Sequence, residues 1–77
     1  MAKIIVNNIR TLRFFNSEMT QESLARKVGV SRQTIVAIEN GKYSPTLELA
    51  FKISDEFNKE LSEVFQYKEE SNEGTRK

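Results

Sequence analysis

The chain has 77 residues, a formal net charge of +1, and neither cysteine nor histidine. That length holds one domain, and the missing side chains remove disulfides, thiolate nucleophiles, imidazole bases and nearly every zinc geometry. With no room to wall off a deep pocket, neither an enzyme nor a cofactor is expected. No apolar run approaches the roughly 20 residues of a spanning helix and Met1–Ile9 lacks a leader pattern, so a cytoplasmic globular protein is expected.

Taken in chain order, Lys3–Val6 is β-branched enough for a short strand. Asn7 or Asn8 is placed to cap a first helix in which Ile9, Leu12 and Phe15 recur at helical spacing, and Asn16-Ser17-Glu18 breaks it. Thr20 then caps a second helix, with Glu22 in its first turn and Leu24, Ala25 and Val28 as its apolar stripe. Met19 and Leu24 hold the positions of a hydrophobic staple, and Gly29 closes the helix in the left-handed conformation.

Ser31 caps a third helix only two residues later; Val30 and Ile35 repeat the staple, Ile35 and Ile38 point inward, and Gly41 is a second closing glycine. So short a turn forces the two helices to cross steeply, at about 90–120°. Pro45 favours an extended Ser44, after which Thr46 caps a fourth helix carrying Leu47, Ala50, Phe51, Ile53 and Phe57, with Asn58 left-handed at its end. A fifth helix over Glu60–Phe65 has a poor cap, Phe65-Gln66-Tyr67 alternates like a strand, and Glu69–Lys77 is expected to fray.

The third helix carries the functional signal. At about 100° per residue, Gln33, Ala37 and Asn40 lie opposite Ile35 and Ile38, with Val36 beside them and Arg32 and Thr34 on the flanks. A merely solvated face carries Lys and Glu; this one carries the groups that the DNA major groove rewards. Arg pairs bidentately with guanine, Gln with adenine, and small apolar groups meet the thymine methyl. Charge is polarised along the chain too. Residues 1–46 hold seven basic and three acidic residues, whereas residues 47–77 hold five basic and eight acidic, so the front half faces a polyanion better.

The run TQESLARKVGVSRQTIVAIENGKYSPTLELAFKI resembles the helix-turn-helix of the Cro/repressor and Xre-type regulators. Gln21 opening the second helix, Ala25 at the crossing, Gly29 in the turn, Val30 and Ile35 in the core, and the Ile38-Glu39-Asn40-Gly41-Lys42 end carry the likeness, which spans about Asn7 to Gln66. It implies an all-α, lambda-repressor-like domain of five helices over residues 7–66. Residues 1–6 hold a short strand-like segment whose Lys3–Val6 is expected to pair with Phe65–Lys68 in a small two-stranded sheet, as in some relatives, and residues 67–77 close the chain as strand end and disordered tail. It also implies a double-stranded DNA-binding transcriptional regulator, a repressor acting as a homodimer on a pseudo-palindromic operator. Base reading falls to Arg32, Gln33, Thr34, Val36 and Ala37, and phosphate contact to Gln21, Ser31, Asn40, Lys42, Tyr43 and Ser44. The family often joins the positions of Arg13 and Glu39 in a partly buried ion pair, which is expected here. Two features depart from the pattern: Ala37 stands where many members carry a long polar reader, and the Asn16–Met19 loop is one residue longer than the commonest form.

Other residues invite other readings. Phe14, Phe15, Phe51, Phe57 and Phe65 suggest stacking platforms for single strands, but most sit at core spacing, Phe14 excepted, so core positions are expected and RNA binding lacks the exposed aromatics it needs. Asp55-Glu56 and Glu69-Glu70 lack ligand partners and read as solvated surface, so no metal is expected. The alternative function is an antitoxin-like module whose helical body neutralises a partner protein.

Overall fold

The computed structural model describes residues 2–70. The elements run β1 (Lys3–Asn7), α1 (Ile9–Phe15), α2 (Gln21–Val28), α3 (Arg32–Glu39), α4 (Leu47–Glu56), α5 (Leu61–Val64) and β2 (Phe65–Glu69). Five helices thus carry one antiparallel two-stranded sheet, in which Lys3 pairs with Glu69, Ile5 with Tyr67 and Asn7 with Phe65. The strand reaches Glu69, where fraying was expected to begin; the tail beyond it, residues 71–77, lies outside the described residues.

Local chemistry explains most boundaries. Thr20, Ser31 and Thr46 are extended, and the hydroxyl of each accepts the main-chain N–H three residues on: Ser23 at 2.9 Å, Thr34 at 3.2 Å and Leu49 at 3.1 Å. At the end of α2, Gly29 takes φ +81°, and its N–H and that of Val30 both donate to Ala25 O. That left-handed residue lets α3 start two positions later, because any side chain there would cost about 1–2 kcal/mol.

The start of α1 is held differently from a simple cap. Asn7 Oδ1 accepts from Ile9 N at 3.1 Å, while Asn7 Nδ2 donates to Ile38 O at 3.0 Å. Asn8 is the cap by position, and its amide donates to Glu63 O. One asparagine therefore seats α1 on the end of α3, and the next seats it on α5. The poor cap expected for the fifth helix is also corrected: Glu60 is the cap and its N–H donates to Glu63 Oε1 at 2.9 Å, half of a capping box built from two glutamates.

Ile9, Leu24, Ala25, Val28, Ile35, Ile38, Leu49, Ile53, Phe57 and Val64 form one core, with Leu12, Met19, Val30 and Phe65 packed against it. Burying each large aliphatic side chain contributes about 1.5–3 kcal/mol. The α4 stripe is rotated from the expected one. Leu49, Ala50, Ile53 and Ser54 face the core, whereas Leu47 and Phe51 are 67% and 53% exposed. Phe14 and Phe15 are exposed as well, their rings edge-to-face at 5.3 Å. Core spacing held for Phe57 and in part for Phe65; it failed for Phe15 and Phe51.

Candidate nucleic-acid interface

Ile35 and Ile38 are buried and pin one side of α3 against α2 and the core. The opposite side is open: Arg32, Gln33 and Asn40 are exposed, and Thr34, Val36 and Ala37 are half-buried. Beyond the helix, Gly41 (φ +77°), Lys42, Tyr43 and Ser44 are exposed and continue the same edge. The N–H of Lys42 donates to Ala37 O at 2.9 Å, which folds this segment back against the helix end.

Within the set, polar side chains are not equally free. Ser31 Oγ accepts the Thr34 N–H, and the two hydroxyls lie 2.9 Å apart. Both oxygens are therefore partly engaged in starting the helix. Arg32, Gln33, Asn40 and Lys42 have no such intramolecular commitment among the described residues. Val36 and Ala37 place small apolar groups one turn into the helix, where only methyl contact is chemically available.

The acid of α3 faces the other way. Arg13 Nε donates to Glu39 Oε2 at 2.7 Å and Arg13 Nη2 to Glu39 Oε1 at 3.0 Å, a bidentate pair whose side chains are only 15% and 7% exposed. Arg13 Nη1 also donates to Met19 O at 2.9 Å, and Gln21 Nε2 donates to Glu39 Oε1 at 3.2 Å. The Glu39 carboxylate thus joins α1, α2 and α3, and Arg13 adds the α1–α2 loop. The structure brings Arg13 and Glu39 together, and it brings in Gln21, assigned from the sequence only to phosphate contact. The signal for this was faint: Gln21 begins α2, where one side of its half-buried chain faces the α3 end.

The loop ahead of α2 is unusual in its backbone. Ser17 and Glu18 are both left-handed (φ +58° and +54°), and this accommodates the long Asn16–Met19 connection while Met19 N donates to Arg13 O at 2.9 Å. The exposed aromatics remove the ground on which RNA binding was set aside. Their layout still gives no platform: Phe14 borders a hollow with Arg10 and Met19, whereas Phe15 borders another with Asn58 and Lys59. Successive bases need rings in a row.

Two short helices joined through a left-handed glycine, the second presenting an open polar edge and a buried aliphatic one, define a helix-turn-helix domain. The helix-turn-helix family model matches residues 9–64, and the chain belongs to that family, in its Xre/Cro-type branch of transcriptional regulators. An uncharacterized HTH-type transcriptional regulator of Methanocaldococcus jannaschii is 56% identical over 52 residues, covering 68% of this chain and 79% of the relative. Another, from Archaeoglobus fulgidus, is 54% identical over 52 residues, covering 68% of this chain and 73% of the relative. A third, from Bacillus subtilis, is 48% identical over 52 residues, covering 68% and 79%. The crystal structure of a Bacteroides fragilis protein superposes with a TM-score of 0.70 at 22% identity, covering 82% of this chain and all of that one, a likeness of fold. The family is one of regulators and not an enzyme class. Among the described residues, no helix is long and apolar enough to cross a membrane.

Proposed function

We propose that this protein is a cytoplasmic, sequence-specific repressor that lays α3 in the major groove of double-stranded DNA and occludes a promoter. The observation that carries this is the sorting of charge on α3. Its lone acid, Glu39, is turned inward and held by Arg13 and Gln21, while Arg32, Gln33 and Asn40 face out with Lys42 just beyond. A groove lined by phosphates and base edges favours that arrangement over an ordinary solvated helix. Arg32 and Gln33 stand in the first turn, positioned for base edges, with Thr34, Val36 and Ala37 beside them. Asn40, Lys42, Tyr43, Ser44, Ser31 and the free side of Gln21 contact the backbone and fix register.

One such helix reads only a few base pairs, so the protein acts as a homodimer on half-sites about 34 Å apart. The surface that supports this is apolar and continuous. Ile5, Leu47, Leu61, Phe65 and Tyr67 line an open groove between the sheet and α4, and Leu47 links it to the exposed Phe51. Ile5, Leu47, Phe51 and Tyr67 on this surface are all exposed, and contiguous exposed apolar side chains are what an association site presents. Selecting bound sequences from a random duplex pool tests the proposal. A repeated, two-fold symmetric site is expected; a pool unenriched at low salt, with the protein folded, contradicts it.

A further inference from the structure

We infer that Arg10, on α1 and outside every residue assigned to DNA so far, is an additional phosphate contact that extends the binding edge beyond α3 and the Lys42–Ser44 segment. The inference rests on the proposed DNA-binding role of α3. At about 100° per residue, α1 places Arg10, Arg13 and Phe14 on one flank and Leu12 and Phe15 on the other. Two contacts fix where the first flank lies. Arg13 reaches Glu39 and Met19 O, and Asn7, just before the helix, donates to Ile38 O. The segment between Asn7 and Arg13, which holds Arg10, is therefore anchored at both ends to Ile38 and Glu39, at the C-terminal end of α3. Arg10 stands one turn from Arg13, exposed, on the rim of a hollow shared with Arg13, Phe14, Glu18 and Met19.

The ion pairs narrow the set of free cations. Arg26 pairs with Glu22 at 3.2 Å, Lys27 with Glu56 at 3.8 Å, and Lys52 with Glu48 at 3.5 Å, so the cations of α2 and α4 are locally neutralised. Among the described residues, Lys3, Arg10, Arg32, Lys42, Lys59 and Lys68 have no carboxylate within ion-pair reach; even Glu18, on the same hollow, makes no bridge to Arg10. Of these, Arg32 opens α3, Lys42 follows its end, and Arg10 lies between Asn7 and Arg13, the two residues that tie α1 to that end. A guanidinium so placed meets two phosphate oxygens at once, contributing affinity without reading sequence.

Fluorescence anisotropy of a labelled duplex between 50 and 200 mM KCl tests this with wild type, Arg10→Ala, Arg10→Lys and Lys59→Ala. Lys59 borders the hollow on the opposite flank of α1, with Phe15 and Asn58, so both alanine variants remove one positive charge and net charge is controlled. For Arg10→Ala, the slope of log affinity against log salt should become shallower by about 0.9, so that its deficit relative to wild type shrinks about three- to four-fold across that range. The loss should be equal on selected and random duplexes. Arg10→Lys should keep the wild-type slope, and Lys59→Ala should behave as wild type. A wild-type slope in Arg10→Ala, or an equal change in Lys59→Ala, overturns the inference while leaving the role of α3 standing. Failure of the wild-type protein to bind any duplex overturns the role of α3 itself, and Arg10 with it.

Discussion

Arg13→Ala is the sharpest perturbation of the architecture behind α3. It removes two hydrogen bonds to Glu39 and one to Met19 O, and leaves a carboxylate whose side chain is 7% exposed with one remaining donor, Gln21 at 3.2 Å. Removing one partner of a buried pair costs about 3–5 kcal/mol; the surviving Gln21 bond and the partial exposure of the site place the expectation near 3. A chain of this length has about 4–12 kcal/mol in total, so the loss is a large share of it. In urea unfolding followed by circular dichroism, with a slope of about 1 kcal/mol/M, the midpoint should fall by roughly 3 M and the slope should stay unchanged. Replacing both partners, as Arg13→Met with Glu39→Leu, leaves no orphaned charge. That protein should stay within about 1–2 kcal/mol of wild type, the residue of the loss coming from the unpaired Met19 carbonyl. A strong positive coupling between the two sites follows. Single substitutions within 0.5 kcal/mol of wild type, adding without coupling, would show that the pair is idle and that something else sets the position of α3.

The division of labour on the DNA side predicts a contrast. Arg32→Ala and Gln33→Ala should each cost specific binding about 1–3 kcal/mol and spare non-specific binding, whereas Lys42→Ala should weaken both and reduce the salt slope by about one, all measurable by competition binding. Leu47→Glu, at a position 67% exposed, should leave the fold intact and convert a dimer to a monomer in sedimentation velocity at tens of micromolar; a wild-type monomer there contradicts the proposed interface. Gly29→Ala should cost about 1–2 kcal/mol in thermal or urea unfolding. Nothing lies within 4 Å of the added methyl, so the whole effect is the left-handed backbone, and a neutral result would refute that account of the turn.

What the sequence made legible were the features governed by local chemistry. Thr20, Ser31 and Thr46 are hydroxyl caps that act on the next turn of chain, and Gly29, Gly41 and Asn58 carry the positive φ that their residue types tolerate. Ile35 and Ile38 announced the inward side of α3 because their spacing admits only one buried face. The β-branched Lys3–Val6 and the alternating Phe65–Tyr67 likewise gave the sheet. Features decided by neighbours were less legible. Apolar residues of α4 cover more than half of its circumference, so periodicity alone left open which part would be buried. The core took Leu49, Ala50, Ile53 and Phe57, and Leu47 and Phe51 were left outside. Phe15 sits on the edge of the α1 stripe, at the last position of a seven-residue helix, and only lines an open hollow with Asn58 and Lys59. The glutamate capping box of α5 was obscured because Glu60 is a weak cap by residue type and acts only together with Glu63. Of the candidate site, the outward residues of α3 were readable from the wheel. The second partner of Glu39, Gln21, was not, because it depends on how closely the start of α2 approaches the end of α3.

The most direct test of the claim that the outer edge of α3 meets DNA is a two-dimensional amide NMR titration of the folded protein with a selected duplex. Shifts should concentrate at Gln21, Ser31–Gln33, Val36, Ala37 and Asn40–Ser44, and remain small at Leu49, Ile53 and Lys59. Shifts gathered instead on Phe14 and Phe15 or around Leu61 and Tyr67, with Arg32 and Gln33 unmoved, would contradict it.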